Sequence, residues 1–351
     1  FRIMTINQPP LQPTPVGAIR FNTDTSKMEY YDGNQWVNVT SDSPDAQTGG
    51  TRVISAGGYA GSPAPSYSDY IEYANIDTTG NTLDFGDMQA NSAEMGCVSS
   101  RTRGVTCGGS PDVALDYITI ASTGNAIDFG QMTQERQQCA SFCNSIRGIV
   151  AGGMTPAGYP NFVASMDYLT IAQTGTSQDF GDLSATYVGN VGVMSPTRGI
   201  SLCGRKAAVD RSVNCEYVNI ATTGNTAYWG DLSDDSHSYG YAASNAVRGV
   251  IGGGSTGPSP SPNTDTIDYI SMASLGGSNS FGDLSGASSN VSNGGASSPT
   301  RMVFMAGQKP AYSNAIEYVQ IMSTGNAVDF GDMTSARDRS ANFTNGHGGL
   351  G

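Results

Sequence analysis

The chain has 351 residues, enough for one large domain or two to three ordinary ones and for a sizeable buried core. With 46 Gly, 16 Pro and only 13% charged residues it does not read as a helical surface, and 17 Tyr, 11 Phe and 2 Trp argue against disorder. A formal charge of −13, from 17 basic and 30 acidic residues, argues against nucleic acid as a partner, and no eighteen-residue apolar run suggests a membrane span.

The chain opens at Phe1, with neither Met nor a recognisable signal peptide, which leaves open a processed end, a boundary or a fragment. Pro9, Pro10, Pro13 and Pro15 disfavour a helix at the start. Residues 18–22, 27–31 and 35–39 predict three short strands, the last two joined by a tight turn at Asp32-Gly33. Trp36, Tyr30 and Phe21 are expected to form a tiny core or to dock elsewhere. Some forty residues are marginal alone, so residues 1–45 are expected to be a small β module for attachment or assembly. A polar linker, residues 41–50, leads into the remainder, 46–351.

That remainder is periodic. An acid followed by Tyr recurs at Glu72-Tyr73, Asp116-Tyr117, Asp167-Tyr168, Glu216-Tyr217, Asp268-Tyr269 and Glu317-Tyr318. Twelve residues after each Tyr comes an aromatic before Gly: Phe85, Phe129, Phe180, Trp229, Phe281 and Phe330. Arg52, Arg103, Arg147, Arg198, Arg248 and Arg301 precede the tyrosines by 14 to 21 residues, usually with Gly-Gly between. Two segments of constant length and one elastic segment are the mark of strands joined by a variable loop. In the second copy, short strands are expected after Arg103, from Tyr117 and up to Phe129, with a fourth near residues 138–144. Thr-Gly-Asn turns such as Thr223-Gly224-Asn225 close the hairpins. Substantial side chains on both faces of the tyrosine strand require a layer on each side. Four short strands per roughly fifty residues, six times over, predict an all-β, six-bladed β-propeller. Residues 336–345 match the fourth-strand region and are expected to join the blade begun by residues 51–87, a split closure that pairs both terminal edges.

Gly152-Gly153, Tyr168 and Phe180, with Arg136 and Arg337 in two units, resemble a kelch-like propeller repeat. The Thr-Gly-Asn-Ala, Asp-Phe-Gly-Asp and Thr-Arg-Gly phrases over residues 51–351 resemble repeats of phage tail-fibre-like and virion appendage proteins, and residues 17–39 resemble small modules of phage fibres. The resemblance implies a non-catalytic structural or adhesive role on a virion surface or outside a cell. Implied partners are virion or filament proteins, further copies of the chain, and host-surface glycans. A cellular surface adhesin is an alternative.

The chemistry in the sequence is sparse. Six repeated arginines fit architecture better than six catalytic roles, and the twelve repeat aromatics fit blade packing. Asp87, Asp182, Asp231, Asp283 and Asp332 are candidate ligands for Ca2+, although no copy has a dense oxygen-ligand motif. The two histidines are too few for a His-rich metal site; His237, after Asp234-Asp235-Ser236, reads as an exposed loop residue, and the other is His347. Cys97, Cys107, Cys139, Cys143, Cys203 and Cys215 fall at different places in their repeats, as free buried thiols or one or two bridges. No nucleophile elbow, phosphate loop or zinc-ligand pair appears, which leaves a propeller glycosidase with paired carboxylates as the enzymatic alternative. The variable loops at residues 59–69, 154–164 and 255–264 are the expected binding or inter-subunit surface.

Overall fold

The structure is a computed structural model and describes residues 14–23, 27–38, 51–60, 66–111, 114–206, 211–233, 237–255, 262–289, 295–309 and 311–350. The chain divides into two compact units, Phe1–Ala46 and Gln47–Gly351. Regular structure among the described residues is all β apart from one 3-10 turn, Gly348–Leu350.

In the first unit Ile19–Asn22, Lys27–Tyr31 and Trp36–Asn38 form an antiparallel sheet in that order. The Asp32 carboxylate closes the turn by accepting from the Asn34 and Gln35 N–H groups at 2.7 and 2.8 Å, and Gly33 takes φ of 104°. Phe21, Tyr30 and Trp36 do not make one core in this unit. Strand alternation puts Trp36 on the face of Arg20 and Glu29, where the Arg20 guanidinium lies 4.1 Å from the indole centroid and 2.8 Å from the Glu29 carboxylate. Ile19 pairs with Tyr30 and Phe21 with Met28 on the other face, and all four are exposed, by 40 to 66%.

The second unit contains six four-stranded antiparallel sheets. One runs Gly96–Ser99, Arg103–Cys107, Leu115–Thr119 and Ile127–Gly130, each strand paired with the next in sequence. The others begin with Ala140–Cys143, Val191–Met194, Tyr241–Ser244, Gly295–Ser297 and Ala341–Thr344. The strand after each aromatic therefore opens the following sheet instead of completing its own; Ala140–Cys143, for example, pairs with Arg147–Ala151. By the same shift Ala341–Thr344 pairs with Arg52–Ala56, far away in sequence. The junction there is chemically the same as elsewhere. A Ser or Asn three residues before the repeat arginine accepts that arginine's backbone N–H in five sheets, as Asn144 does for Arg147 at 2.8 Å; in the sixth, Asn345 accepts from Arg52 N–H at 2.8 Å. The first strands neighbour one another in series, in the order given, and Ala341–Thr344 neighbours Gly96–Ser99.

A β-bulge in every sheet explains why a period-two strand buries its aromatic. Ile71 pairs with Gly86 and Glu72 with Asp84, so Phe85 has no ladder partner; Phe129, Phe180, Trp229, Phe281 and Phe330 are skipped in the same way. The extra residue re-aims the ring into the interior, where all six are 2 to 3% exposed. In five of the six sheets the glycine after it takes a positive φ, 148° at Gly86, and in all six it faces the hairpin glycine of the next sheet; at Gly86 a Cβ would sit 2.5 Å from the Gly124 carbonyl.

Glycine after the repeat arginine has a different use. A Cβ at Gly104 would lie 1.9 Å from the Phe343 ring, and one at Gly199 2.0 Å from Phe142, so a bare backbone makes room for an aromatic of a neighbouring sheet. Gly104→Ala and Gly199→Ala are each expected to destabilise the protein by about 1–3 kcal/mol through overpacking. The check is the urea midpoint at unchanged slope; a midpoint within error of the parent would show that these rings are free to move aside.

Candidate functional site

Two sets of contacts organise each sheet and two more join it to the next. The tyrosine and the bulged aromatic of one sheet meet edge to face, with centroids 5.6 to 6.1 Å apart. The repeat arginine stacks over that tyrosine, from 4.1 Å for Arg248 and Tyr269 to 5.3 Å for Arg198 and Tyr217. Its guanidinium then reaches a carbonyl of the adjoining sheet: Arg52 to Ile120, Arg103 to Ile171, Arg147 to Ile220, Arg198 to Met272, Arg248 to Ile321 and Arg301 to Ile76. The hairpin glycines run in the same order. Gly124, Gly175, Gly224, Gly276, Gly325 and Gly80 donate N–H to the carbonyls of Phe85, Phe129, Phe180, Trp229, Phe281 and Phe330.

The acid before each tyrosine stood in the sequence only as a repeat marker. In the structure Glu72, Asp116, Asp167, Glu216, Asp268 and Glu317 are 2 to 6% exposed. Five take a hydroxyl hydrogen bond from a Ser or Thr four residues after the preceding sheet's aromatic. Thr133 donates to Asp167 at 2.6 Å and Ser233 to Asp268 at 2.6 Å; Thr334, Ser184 and Ser285 do so to Glu72, Glu216 and Glu317. A hairpin hydroxyl often adds a second bond, as from Thr82 to Glu72 at 2.9 Å. Cationic partners differ by copy: Arg337 for Glu72 at 3.5 Å, Arg136 for Asp167 at 3.2 Å and Lys309 for Glu317 at 2.8 Å. Burial raises the pKa of Asp268, but the nearby His237 ring and hydrogen bonds from Ser233 and Ser278 outweigh it and hold this carboxyl below the usual range. The repeated Thr or Ser after Phe-Gly-Asp was the sequence signal for this arrangement. Alternation along the tyrosine strand sets Glu72 on the same buried face as Ala74 and Ile76; which hydroxyls reach it from the preceding sheet is decided by packing between sheets.

Arg136 and Arg337 are both wholly buried but differ in completeness. Arg136 donates to the Ser165 carbonyl, the Ser165 hydroxyl at 3.0 Å and Asp167. Arg337 leaves Nε and Nη1 without a hydrogen-bond partner, and burial lowers its pKa against the pull of Glu72. His237 is not an exposed loop residue. Its ring is fully buried, with Nδ1 2.8 Å from the Gly253 carbonyl and Nε2 3.7 Å from Asp268, because it stands where other copies bury an arginine. Residues 234–236 lie outside the described residues.

Antiparallel order sends the repeat arginines and Thr-Gly-Asn hairpins to one end of the sheets and the Gly-Gly turns and variable loops to the other. At the loop end a residue with left-handed backbone precedes the first strand of successive sheets: Glu94, Gln138, Gly189, Tyr239 and Arg339, with φ of 57 to 64°. Their amides link head to tail, Glu94 N–H to Arg339 O, Gln138 to Glu94, Gly189 to Gln138 and Tyr239 to Gly189, at 2.8 to 3.0 Å. Four of the five are not glycine, a strained choice that their surroundings must enforce. Arg339 spans to Glu94 at 2.7 Å, and a Cβ at Gly189 would strike the Tyr239 ring at 2.1 Å.

Around this collar the described parts of the variable loops touch. Tyr59 meets Tyr67 and Tyr312, with centroids 5.3 and 6.0 Å away, and Arg339 lies 5.0 Å over Tyr59. Arg205 lies over Tyr159 at 5.3 Å, Lys206 over Tyr187 at 5.4 Å and Arg211 over Tyr239 at 5.7 Å. Asn263 donates to the Gln308 carbonyl at 3.0 Å. Residues 61–65 and 256–261 of these loops lie outside the described residues.

The candidate calcium ligands are not brought together. Asp87, Asp231, Asp283 and Asp332 end the last strands of four sheets and Asp182 lies within that of a fifth, and no group of three or more His, Cys, Asp or Glu able to hold a metal occurs among the described residues. The backbone N–H of Asp87, Asp182, Asp283 and Asp332 is instead held by the hairpin asparagine of the next sheet, at 3.0 to 3.1 Å. All six cysteines are free and buried. Burial pushes the Cys97, Cys143 and Cys203 thiols up to about 12 and Cys139 up to about 11.

Comparison with known proteins finds no protein-family model that matches the chain and no curated protein that matches it.

Replacing Arg103 by Gln removes its carbonyl bond and its cation–π contact, and the expected loss is about 1–2 kcal/mol. Arg103→Lys is expected to recover only part, because an ammonium lacks the planar stacking face; chemical denaturation of the pair checks this. Burial also raises the Asp338 carboxyl to about 6, opposed by Arg339. A carboxyl with a raised folded pKa binds its proton more tightly in the native state. Its contribution is therefore complete below about pH 4 and is lost as pH rises towards 6. In Asp338→Asn that decline is expected to disappear from the stability–pH curve, read as the difference from the parent between pH 4 and 7.

Proposed function

We propose that residues 46–351 form a six-bladed β-propeller of kelch-like type, and that the protein is a non-catalytic structural and adhesive component of a virion appendage or similar extracellular assembly. The propeller reading is supported by three series that return to their starting sheet, first-strand neighbours, arginine-to-carbonyl bonds and hairpin-glycine bonds, and by the Asn345 junction to Arg52. Stacked blades supply one another's missing layers, which explains why both faces of a tyrosine strand carry substantial side chains.

The observation that carries the adhesive reading is the asymmetry of the two ends. Repeat-invariant contacts occupy the arginine end, whereas the loop end varies from copy to copy and sets tyrosines such as Tyr59 and Tyr159 beside cations on a chain of net charge −13. Tyrosine rings stack on sugar faces and guanidinium groups fork to hydroxyls and acids, so this rim suits a glycan. The exposed Ile19, Phe21, Met28 and Tyr30 face of the first unit suits attachment to another protein of the assembly or to further copies. Buried free thiols accord with a particle assembled in a reducing cytosol and later released.

The repeated acids favour architecture over hydrolysis, since each documented cluster saturates its carboxylate with hydroxyls or a cation. A glycan array probed with the full chain and with Tyr59→Ala and Tyr159→Ala tests the reading. Selective binding that drops at least tenfold in the variants is the expected result. Absence of binding, with intact particles disrupted by loss of residues 1–45, leaves only the structural role; sugar release abolished by one carboxylate substitution overturns the non-catalytic reading.

A further inference from the structure

We propose that Cys143, Met194 and His347 form a binding site for one soft monovalent cation, of which Cu(I) is the natural member, at the end of the space enclosed by the six first strands. That space is lined from all six sheets, by Cys97, Cys143, Met194, Ala242, Ala296 and Phe343 among others, and its volume of about 30 Å³ admits little more than a short file of water. His347 belongs to the segment that covers one end, where the 3-10 turn Gly348–Leu350 packs against Val191–Met194 and Tyr241–Ser244.

The donors come from three elements that only the assembled sheets bring together. The Cys143 sulfur is 3.7 Å from the Met194 sulfur and 3.5 Å from His347 Nε2. Bond lengths of roughly 2.3 Å to sulfur and about 2.0 Å to nitrogen give a three-coordinate ion edges of about 4.0 Å between sulfurs and about 3.8 Å between sulfur and nitrogen. The two observed edges fall within about 0.3 Å of these. Thiol, thioether and imidazole are a soft set with no carboxylate, which selects Cu(I) over Ca2+ or Mg2+ and disfavours Zn2+ through the thioether. A way in exists. His347 also lines a pocket of about 250 Å³ that borders the same end, with Arg101, Asn245, Val247, Pro299 and Leu350.

Binding is balanced without any redox step. The Cys143 thiol loses its proton to solvent as the sulfur–metal bond forms, so one positive charge enters for one that leaves, and the metal stays monovalent. Cys143 Sγ and His347 Nε2 now face the Ser99 carbonyl at 3.3 and 2.9 Å, and both give up that contact. The imidazole proton moves to Nδ1, which at present accepts from Gly349 N–H at 3.1 Å, so the 3-10 turn must yield there. A small backbone adjustment in this covering turn is thus part of the mechanism.

The full chain, reduced and kept anaerobic, is titrated with Cu(I) against a colorimetric Cu(I) chelator, with Ag(I) as a redox-inert second probe. One equivalent held per chain, with release of about one proton and X-ray absorption showing two sulfur and one nitrogen neighbours, is the expected result. Met194→Leu, which keeps the packing volume, and Cys143→Ser should each weaken retention at least tenfold, while Cys203→Ser should not. Met194→Leu must also melt like the parent without metal, which separates ligand loss from misfolding. Retention unchanged in Met194→Leu, or lost in Cys97→Ser but not in Cys143→Ser, overturns the assignment, as does binding that appears only after denaturation.

Discussion

The structure depends on one constraint: no four-stranded sheet in this chain can cover its own faces. Each must lend a layer to the next. The bulge at Phe85 and its five counterparts meets that constraint, because the extra residue turns an aromatic out of the ladder and into the interior against the tyrosine of its own sheet. An edge-to-face pair of this kind is worth about 0.5–1.5 kcal/mol beyond its area. Repeated in all six sheets, it sets where the arginine stacks and which carbonyl it reaches. The same bulge needs a glycine next to it, and that glycine lets the hairpin of the adjoining sheet approach.

Polar groups inside this arrangement are handled in one recurring way. A buried carboxylate on the tyrosine strand lies beside the bulge in every sheet, and burying it unpaired would be costly. In five sheets the hydroxyl of a preceding Ser or Thr reaches across to it, and copy-specific cations complete the set. Where arginine is buried against a full set of acceptors, as at Arg136, the cluster is closed; where two of its donors lack partners, as at Arg337, the same position carries a local cost. His237 shows the position accepting a third chemistry. Variation is therefore tolerated so long as the carboxylate is answered.

The two ends of the sheets face different demands. At the arginine end each contact must serve two sheets at once, so residue identity is repeated. At the loop end the backbone collar through Glu94, Gln138, Gly189 and Tyr239 meets the main-chain requirement, leaving the side chains beyond it free to differ. That division is the physical ground for the proposal that recognition lies at the loop end.

Much of this was legible beforehand because it is local. The invariant twelve-residue spacing marked the hairpins, the Asp32-Gly33 turn announced its own, and residues 336–345 matched the strand that the first sheet lacks. What depended on tertiary structure is what the bulge and the stacking create. Sequence reasoning left the acids as bare repeat markers, read His237 as an exposed loop residue, and assigned the strand at Ala140–Cys143 to the sheet before it. Nor could spacing bring Cys143, Met194 and His347 within reach of one another, since they stand in different sheets and a terminal turn. The repeat determined what each unit is, because turn geometry and strand length act within a few residues; which face each side chain takes and whom it meets were decided by packing between sheets, where a single extra residue reverses the alternation.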